Sequence, residues 1–225
     1  MHGRKTSLVL FDLDGTLADT APDLVEAING CLEARGLARR PLAQLRPWAS
    51  HGARGLIGQA FGIAPGAPGY EELRTEFVNR YEADISGRTT LFPGVKTTLA
   101  RIEDAGLAWG IVTNKIARLT WPLVKSLGLA QRAACVVSGD TAKASKPDPA
   151  PILYALDQCR CAAAEGAYVG DDRRDVDAGR AAGVCTFAVS YGYSAGMDDI
   201  DQWRADHILD RLEDLLAYVL PDSAA

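Results

Sequence analysis

Asp12 and Asp14 stand two residues apart, directly after the apolar run Leu8, Val9, Leu10 and Phe11. Side chains alternate along a strand, so residues i and i+2 just past its end project toward the same side and face one site. Two carboxylates at that spacing repel each other. They coexist at low cost only where a cation neutralises them or one of them holds a proton. A hard divalent ion such as Mg²⁺ suits oxygen ligands of this kind. Gly15, the next residue, permits a close or left-handed turn beside them. An isolated pair could equally do no more than end a strand, since aspartate is depleted from strands.

Other candidate groups lie far along the chain: Thr113 and Asn114 in "GIVTN", Lys146 in "SKPDP", and Asp171, Asp172 and Asp175 in "YVGDDRRD". Each has an ordinary explanation when taken alone. Thr113 could cap a helix. Lys146 could be a solvated surface residue, as expected of Lys143. The aspartates, Asp177 among them, could complement a helix dipole. Asp148 before Pro149 reads as an N-cap followed by proline at the first helical position. His2, His51 and His207 show no zinc-site spacing, and neither a GxSxG elbow nor a Walker A string is present.

The elements that must position these groups alternate in type. Strand-like runs at Leu8–Phe11, Trp109–Thr113, Cys135–Ser138, Ala167–Val169, Thr186–Val189 and His207–Leu209 are separated by helical patterns at Val95–Ala105, Ile116–Leu127, Pro149–Gln158 and Asp175–Ala182. This βαβ alternation predicts an α/β fold, a doubly wound parallel sheet with helices on both faces. The candidate groups then fall at the carboxyl ends of its strands, where ligands bind in such sheets. Residues 17–90 break the alternation. They hold helical patterns and turn-rich loops such as "GIAPGAPG" but no strand pattern, and read as an all-helical domain inserted between a core of residues 1–16 and 91–225. Thr20 with Asp23 reads as a variant capping box opening its first helix.

The string "DLDGT" after an apolar strand resembles the first motif of the haloacid dehalogenase-like hydrolases, and "GIVTN", "SKPDP" and "YVGDDRRD" resemble their later motifs in order and strand context. The resemblance implies a Rossmann-like core and hydrolysis of a phosphate monoester through an aspartyl-phosphate on Asp12, with Asp14 as general acid and then base. It further implies Mg²⁺ held by Asp12, Asp171 and Asp14 (through its backbone carbonyl), phosphoryl oxygens held by Thr113, Asn114 and Lys146, and outer roles for Asp172 and Asp175. The insertion resembles the C1 type of cap, a lid suited to small substrates. Within the family, "FDLDGTLADTAPDL" and "YGY" (Tyr191–Tyr193) resemble the phosphoglycolate phosphatase group. "GAR" (Gly52–Arg54) and "WRAD" (Trp203–Asp206) resemble a branch acting on N-acetylmuramate 6-phosphate. Asp19 at the cap entry, and His51 and Arg54 in the cap loop "SHGARG", are candidates for reading the leaving group; a guanidinium there could pair with a substrate carboxylate.

Composition limits the alternatives. A chain of 225 residues with 48% apolar content can bury a substantial core. A net charge of −5 argues against a nucleic-acid binder, which would show a basic face. No stretch approaches a membrane span, and the apolar run after Arg4 and Lys5 is too short for a signal peptide. Five cysteines with no CxxC pair fit a reduced cytoplasm. The expected partner is a small phosphorylated metabolite, with the chain a monomer or homodimer; the tail after Leu220 is expected to fray. A phospho-receiver module would share the acidic pair, Thr, Lys and Mg²⁺, but the insertion and the DxDGT string argue against it. A phosphosugar mutase of the same family would isomerise its substrate without releasing phosphate, and a dehalogenase would need neither the second aspartate nor the metal.

Overall fold

The computed structural model describes residues 6–194 and 197–220; Arg4, Lys5 and the tail after Leu220 lie outside the described residues. Strand β1 (Leu8–Phe11) leads to a short strand β2 (Ala18–Asp19), helices α1 (Ala21–Glu33), α2 (Leu42–Leu45), α3 (Gly52–Phe61) and α4 (Tyr70–Ala83), and returns through β3 (Thr90–Leu91). Helices and strands then alternate as α5 (Val95–Asp104), β4 (Ala108–Val112), α6 (Ala117–Ser126), β5 (Val136–Val137), α7 (Ala150–Gln158), β6 (Gly166–Gly170), α8 (Arg173–Ala182), β7 (Cys185–Val189), β8 (His207–Leu209) and α9 (Leu216–Val219).

The main sheet is parallel, in the order β5-β4-β1-β6-β7-β8. β1 pairs on one side with β4 and on the other with β6, which explains its unbroken apolar run: both faces and both edges are covered. Val9 and Phe11 pack with Val95 and Leu99 of α5 and Leu123 of α6, while Leu8 and Leu10 pack with Ile152 of α7 and Ala178 of α8. The doubly wound architecture expected from the alternation is therefore present, with the chain reversing its winding direction around β1. The carboxyl ends of β1, β4 and β6 open into one crevice.

Helices α1, α3 and α4 bury their own apolar faces against one another in a separate cluster that includes Ile28, Leu56 and Phe77. Leu119 of α6 and Tyr193 join this cluster, seating the helical unit over the crevice. The segment between core and helices differs from the expectation in two ways. First, β2 and β3 pair antiparallel as a two-residue ribbon, a stem too short to leave a period in the sequence. Second, the Thr20 side chain does not cap α1; it donates to Asp14 Oδ1 at 2.5 Å. The Tyr193 hydroxyl takes the backbone N–H groups of Thr20 and Ala21 instead, at 2.6 and 2.9 Å. Asp23, the supposed box partner, is buried and accepts from the backbone N–H groups of Arg88 and Thr89 and from the Thr89 hydroxyl, closing the stem from the other side.

Candidate active site

Three of the core motifs meet at a single ammonium group. Lys146 Nζ lies 2.9 Å from Asp12 Oδ1 and 2.7 Å from Asp175 Oδ1, and it donates to the Val112 carbonyl at 3.0 Å and reaches the Tyr168 hydroxyl at 2.7 Å. Burial alone would lower the pKa of this lysine, but Asp12 and Asp175 outweigh it and hold the ammonium charged. Asn114 fixes the lysine's backbone, accepting from its N–H and donating to its carbonyl, both at 2.9 Å. The asparagine amide thus acts as a clamp between the loops after β4 and β5.

Asp171 follows β6 and is fully buried. It accepts from Thr16 Oγ1 at 3.2 Å, from Ser50 Oγ at 3.3 Å and from the Tyr193 backbone N–H at 2.8 Å. Burial, then the nearby charges of Asp12 and Asp175, push its carboxyl well above the usual range. Carboxylate oxygens of Asp12, Asp171 and Asp175 lie within 4.8 Å of one another, and Asp12 Oδ1 is buried with no hydrogen-bond partner, its contact with Lys146 being out of alignment. An acceptor whose one close partner, Lys146, is poorly aligned, in a cluster of three carboxylates, is what a hard divalent cation would complete, so these residues fit such an ion. Gly15 is required here: its φ is +88°, and a Cβ would stand 2.2 Å from Asp171 Oδ2.

Asp172 and Asp175 also form the capping box of α8, which accounts for their spacing structurally. Arg174 grips Asp172 with two bonds of 2.8 Å. Burial would raise the Asp172 carboxyl, but Arg174 prevails and lowers it to about 2. The same guanidinium donates to the Ser50 carbonyl at 2.7 Å, tying the cap loop to the core.

Asp14 turns away from Asp12's partners. Its Oδ1 accepts from Lys115 Nζ at 2.8 Å and from Thr20. Its side chain therefore takes no part in the Asp12–Asp171–Asp175 cluster. Thr113 is buried at the end of β4, where its hydroxyl oxygen accepts from the Lys115 N–H at 3.2 Å.

A cavity of about 270 Å³ lies between core and cap, lined by Asp12, Asp14, Thr113 and Lys146 from the core and by His51, Arg74 and Tyr81 from the cap. His51 borders this space from the cap loop; burial, then Arg174, lowers its pKa. Arg54 is exposed on the first turn of α3 and does not line the cavity, whereas Arg74 of α4 does. Asp19 is also absent from the lining: Arg46 binds both its oxygens at 2.9 Å, and the Tyr193 hydroxyl donates to it at 3.0 Å. It pins the stem. Sequence reasoning missed Lys115, Tyr168 and Arg174, and took Tyr193 only as part of the "YGY" likeness, without a role. Lys115 directly follows Asn114, and a polar residue next to a motif was the signal available.

A doubly wound sheet with acidic, hydroxyl and ammonium groups gathered at its carboxyl edge beneath a helical unit forms a site suited to a phosphate group. The chain belongs to the haloacid dehalogenase-like hydrolases, matching that family over residues 9–189. It is 46% identical over 203 residues to a phosphoglycolate phosphatase of Xanthomonas campestris pv. campestris (strain 8004), covering 90% of this chain and 91% of that one. It is 44% identical over 202 residues to an N-acetylmuramic acid 6-phosphate phosphatase of Pseudomonas putida, covering 90% and 91%. A crystal structure described as a predicted phosphoglycolate phosphatase from Haemophilus somnus 129pt superposes with a TM-score of 0.84 at 27% identity, covering 94% of this chain and 97% of that one.

Proposed function

We propose that this chain is a Mg²⁺-dependent phosphatase that hydrolyses a small phosphate monoester, 2-phosphoglycolate or N-acetylmuramate 6-phosphate, through an aspartyl-phosphate on Asp12. The observation that carries this reading is the meeting of Asp12, Lys146, Asp171 and Asp175 at the ends of adjacent parallel strands beneath an enclosed cavity.

An Asp12 carboxylate oxygen attacks phosphorus, and the bond from phosphorus to the ester oxygen breaks. Asp14 gives a proton to that leaving oxygen. It later takes a proton from the water whose oxygen attacks the phosphoenzyme, releasing inorganic phosphate and restoring Asp12. Lys146 and Thr113 bind the phosphoryl oxygens as charge shifts onto them, and Asn114 keeps Lys146 in place. Asp12 and Asp171 would hold the cation, as the family resemblance implies, while Asp175, whose oxygens take Lys146 Nζ and the Asp172 N–H, would keep Lys146 in position. When bound, Mg²⁺ offsets the repulsion between carboxylate and phosphate. The cap excludes water from the first displacement.

Phosphate release from the two substrates, with and without chelator, tests the reading. Activity is expected to vanish with chelator and return with Mg²⁺, and the thermal midpoint of wild type, but not of Asp171→Asn, is expected to rise as Mg²⁺ is added. Full activity in chelator would refute the metal assignment. A second expected outcome concerns the proton carrier: Asp14→Asn forms phosphoenzyme slowly and clears it more slowly still, so mass spectrometry after substrate addition detects a persistent phosphate adduct. Clearance at the wild-type rate would remove Asp14 from the second step.

A further inference from the structure

Helix α4 runs along the cavity from its floor to its mouth. Arg74, Phe77, Val78 and Tyr81 all line the space, and their spacing of i, i+3, i+4 and i+7 puts them in one row on one face of the helix. The inner end of that row is at the chemistry, since the Tyr81 ring centre lies 4.7 Å from Lys115 Nζ, which is 2.8 Å from Asp14 Oδ1. Arg74 stands two turns away, about 10 Å along the axis at about 1.5 Å per residue. Helical side chains lean toward the N-terminus, and Arg74 does so: its Nη1 meets Glu71, a turn further out, at 3.3 Å. The guanidinium therefore sits at the exposed, outer end of the cavity.

Among the described residues, four lysine and arginine side chains line this space. Asp14 holds Lys115, Asp12 and Asp175 hold Lys146, and Asp172 grips Arg174 with two bonds. Arg74 has only Glu71, in a pair exposed on both sides, and such pairs contribute little and yield to a competing anion.

Resting on the phosphatase reading, we propose that Arg74 forms a second-anion subsite at the mouth of the cavity, and that the substrate is a phosphorylated sugar acid whose carboxylate lies on the order of 10 Å from its phosphate. The guanidinium binds that carboxylate through two parallel hydrogen bonds and fixes the far end of the substrate while phosphorus stands at Asp12. The contact is remote from the reacting atoms and is the same before and during phosphoryl transfer, so it is expressed in KM and leaves kcat alone.

Length selects between the two candidate substrates. 2-Phosphoglycolate extends only about 5 Å from phosphorus to its carboxylate oxygens and falls short of Arg74. N-acetylmuramate 6-phosphate carries its ester and its lactyl carboxylate on opposite sides of a sugar ring and extends about 9 Å. The wall between the two ends is apolar, with Leu24, Ala53, Phe77, Val78 and Leu119 facing the space that a ring and its acetamido methyl group would fill. A cavity of about 270 Å³ is close to the roughly 300–1,000 Å³ that encloses drug-sized ligands, and exceeds the needs of a two-carbon acid.

Steady-state phosphate release from N-acetylmuramate 6-phosphate, from N-acetylglucosamine 6-phosphate, which has the same ring and ester without the carboxylate, and from 2-phosphoglycolate tests this. Wild-type kcat/KM is expected to be at least about tenfold higher for N-acetylmuramate 6-phosphate than for either of the others. Arg74→Met brings its ratio to N-acetylglucosamine 6-phosphate close to one by raising KM, and Arg74→Lys keeps part of the preference. Arg54→Met, on the exposed first turn of α3 and off the cavity, leaves the ratio unchanged. A wild-type ratio near one, a ratio unchanged in Arg74→Met, a loss in that variant confined to kcat, or a higher wild-type kcat/KM for 2-phosphoglycolate would each overturn the proposal while leaving the phosphatase reading intact. Hydrolysis of p-nitrophenyl phosphate but of none of the three esters would do the same, whereas hydrolysis of none of the four would overturn the phosphatase reading itself.

Discussion

Asp12→Asn is expected to lower turnover at least about 10⁴-fold, on the scale seen when a covalent nucleophile is removed, while the protein stays folded. Asparagine has nearly the same shape but no anionic oxygen with which to attack phosphorus. The fold tolerates the change because Lys146 keeps Asp175, the Val112 carbonyl and the Tyr168 hydroxyl as partners. Removing the Asp12 charge also relieves the repulsion that helps hold the Asp171 carboxyl high. Steady-state phosphate release, paired with a thermal melt followed by circular dichroism, separates the two effects. Turnover within tenfold of wild type would exclude Asp12 as the nucleophile.

The largest effect on stability is expected from Lys146→Met. That substitution strips the buried cation from between Asp12 and Asp175 while leaving both carboxylates in place. Lys146 is 4% exposed and Asp175 2%, so water replaces the lost contacts only in part, from the cavity side. Breaking one side of a buried ion pair costs about 3–5 kcal/mol, which urea denaturation monitored in the absence of divalent cation would register as a clear fall in midpoint. Lys143→Met, three residues earlier on the exposed part of the same loop, is expected to change stability by less than about 0.5 kcal/mol. Combining Lys146→Met with Asp12→Asn should recover part of the loss, because one orphaned charge goes with its partner. An unchanged midpoint in Lys146→Met would mean that the lysine contributes only to chemistry.

Much of this arrangement was legible in the chain because it depends on local order. The apolar run of β1 ending in Asp12, and the recurrence of short strands followed by polar groups, dictate a parallel sheet with its chemistry at one edge. The less legible parts depend on contacts between distant residues. The β2–β3 ribbon has two residues per strand and shows no periodicity. The capping signal at Thr20 and Asp23 was real as a pattern, but tertiary partners outcompeted it: Asp14 takes the Thr20 hydroxyl, and the segment at Arg88 and Thr89 takes Asp23. Arg54 looked suited to an anion because of its glycine neighbours, yet the first turn of α3 leaves it exposed. Arg74 occupies the cavity wall from a helix whose sequence gives no reason to favour it. The pairing of Lys115 with Asp14 spans 101 positions, and no local rule reports a contact of that range.

Tyr193 serves both halves of the molecule at once, holding Asp171 through its backbone N–H and the start of α1 and Asp19 through its hydroxyl. Arg46 of the helical unit lies 5.1 Å from the centre of its ring. A lid transplanted from a relative by cutting only at the two stem strands would therefore arrive without its counterpart in the body. Chimeras in this family should be built as matched sets, with the tyrosine loop travelling alongside the helices it anchors.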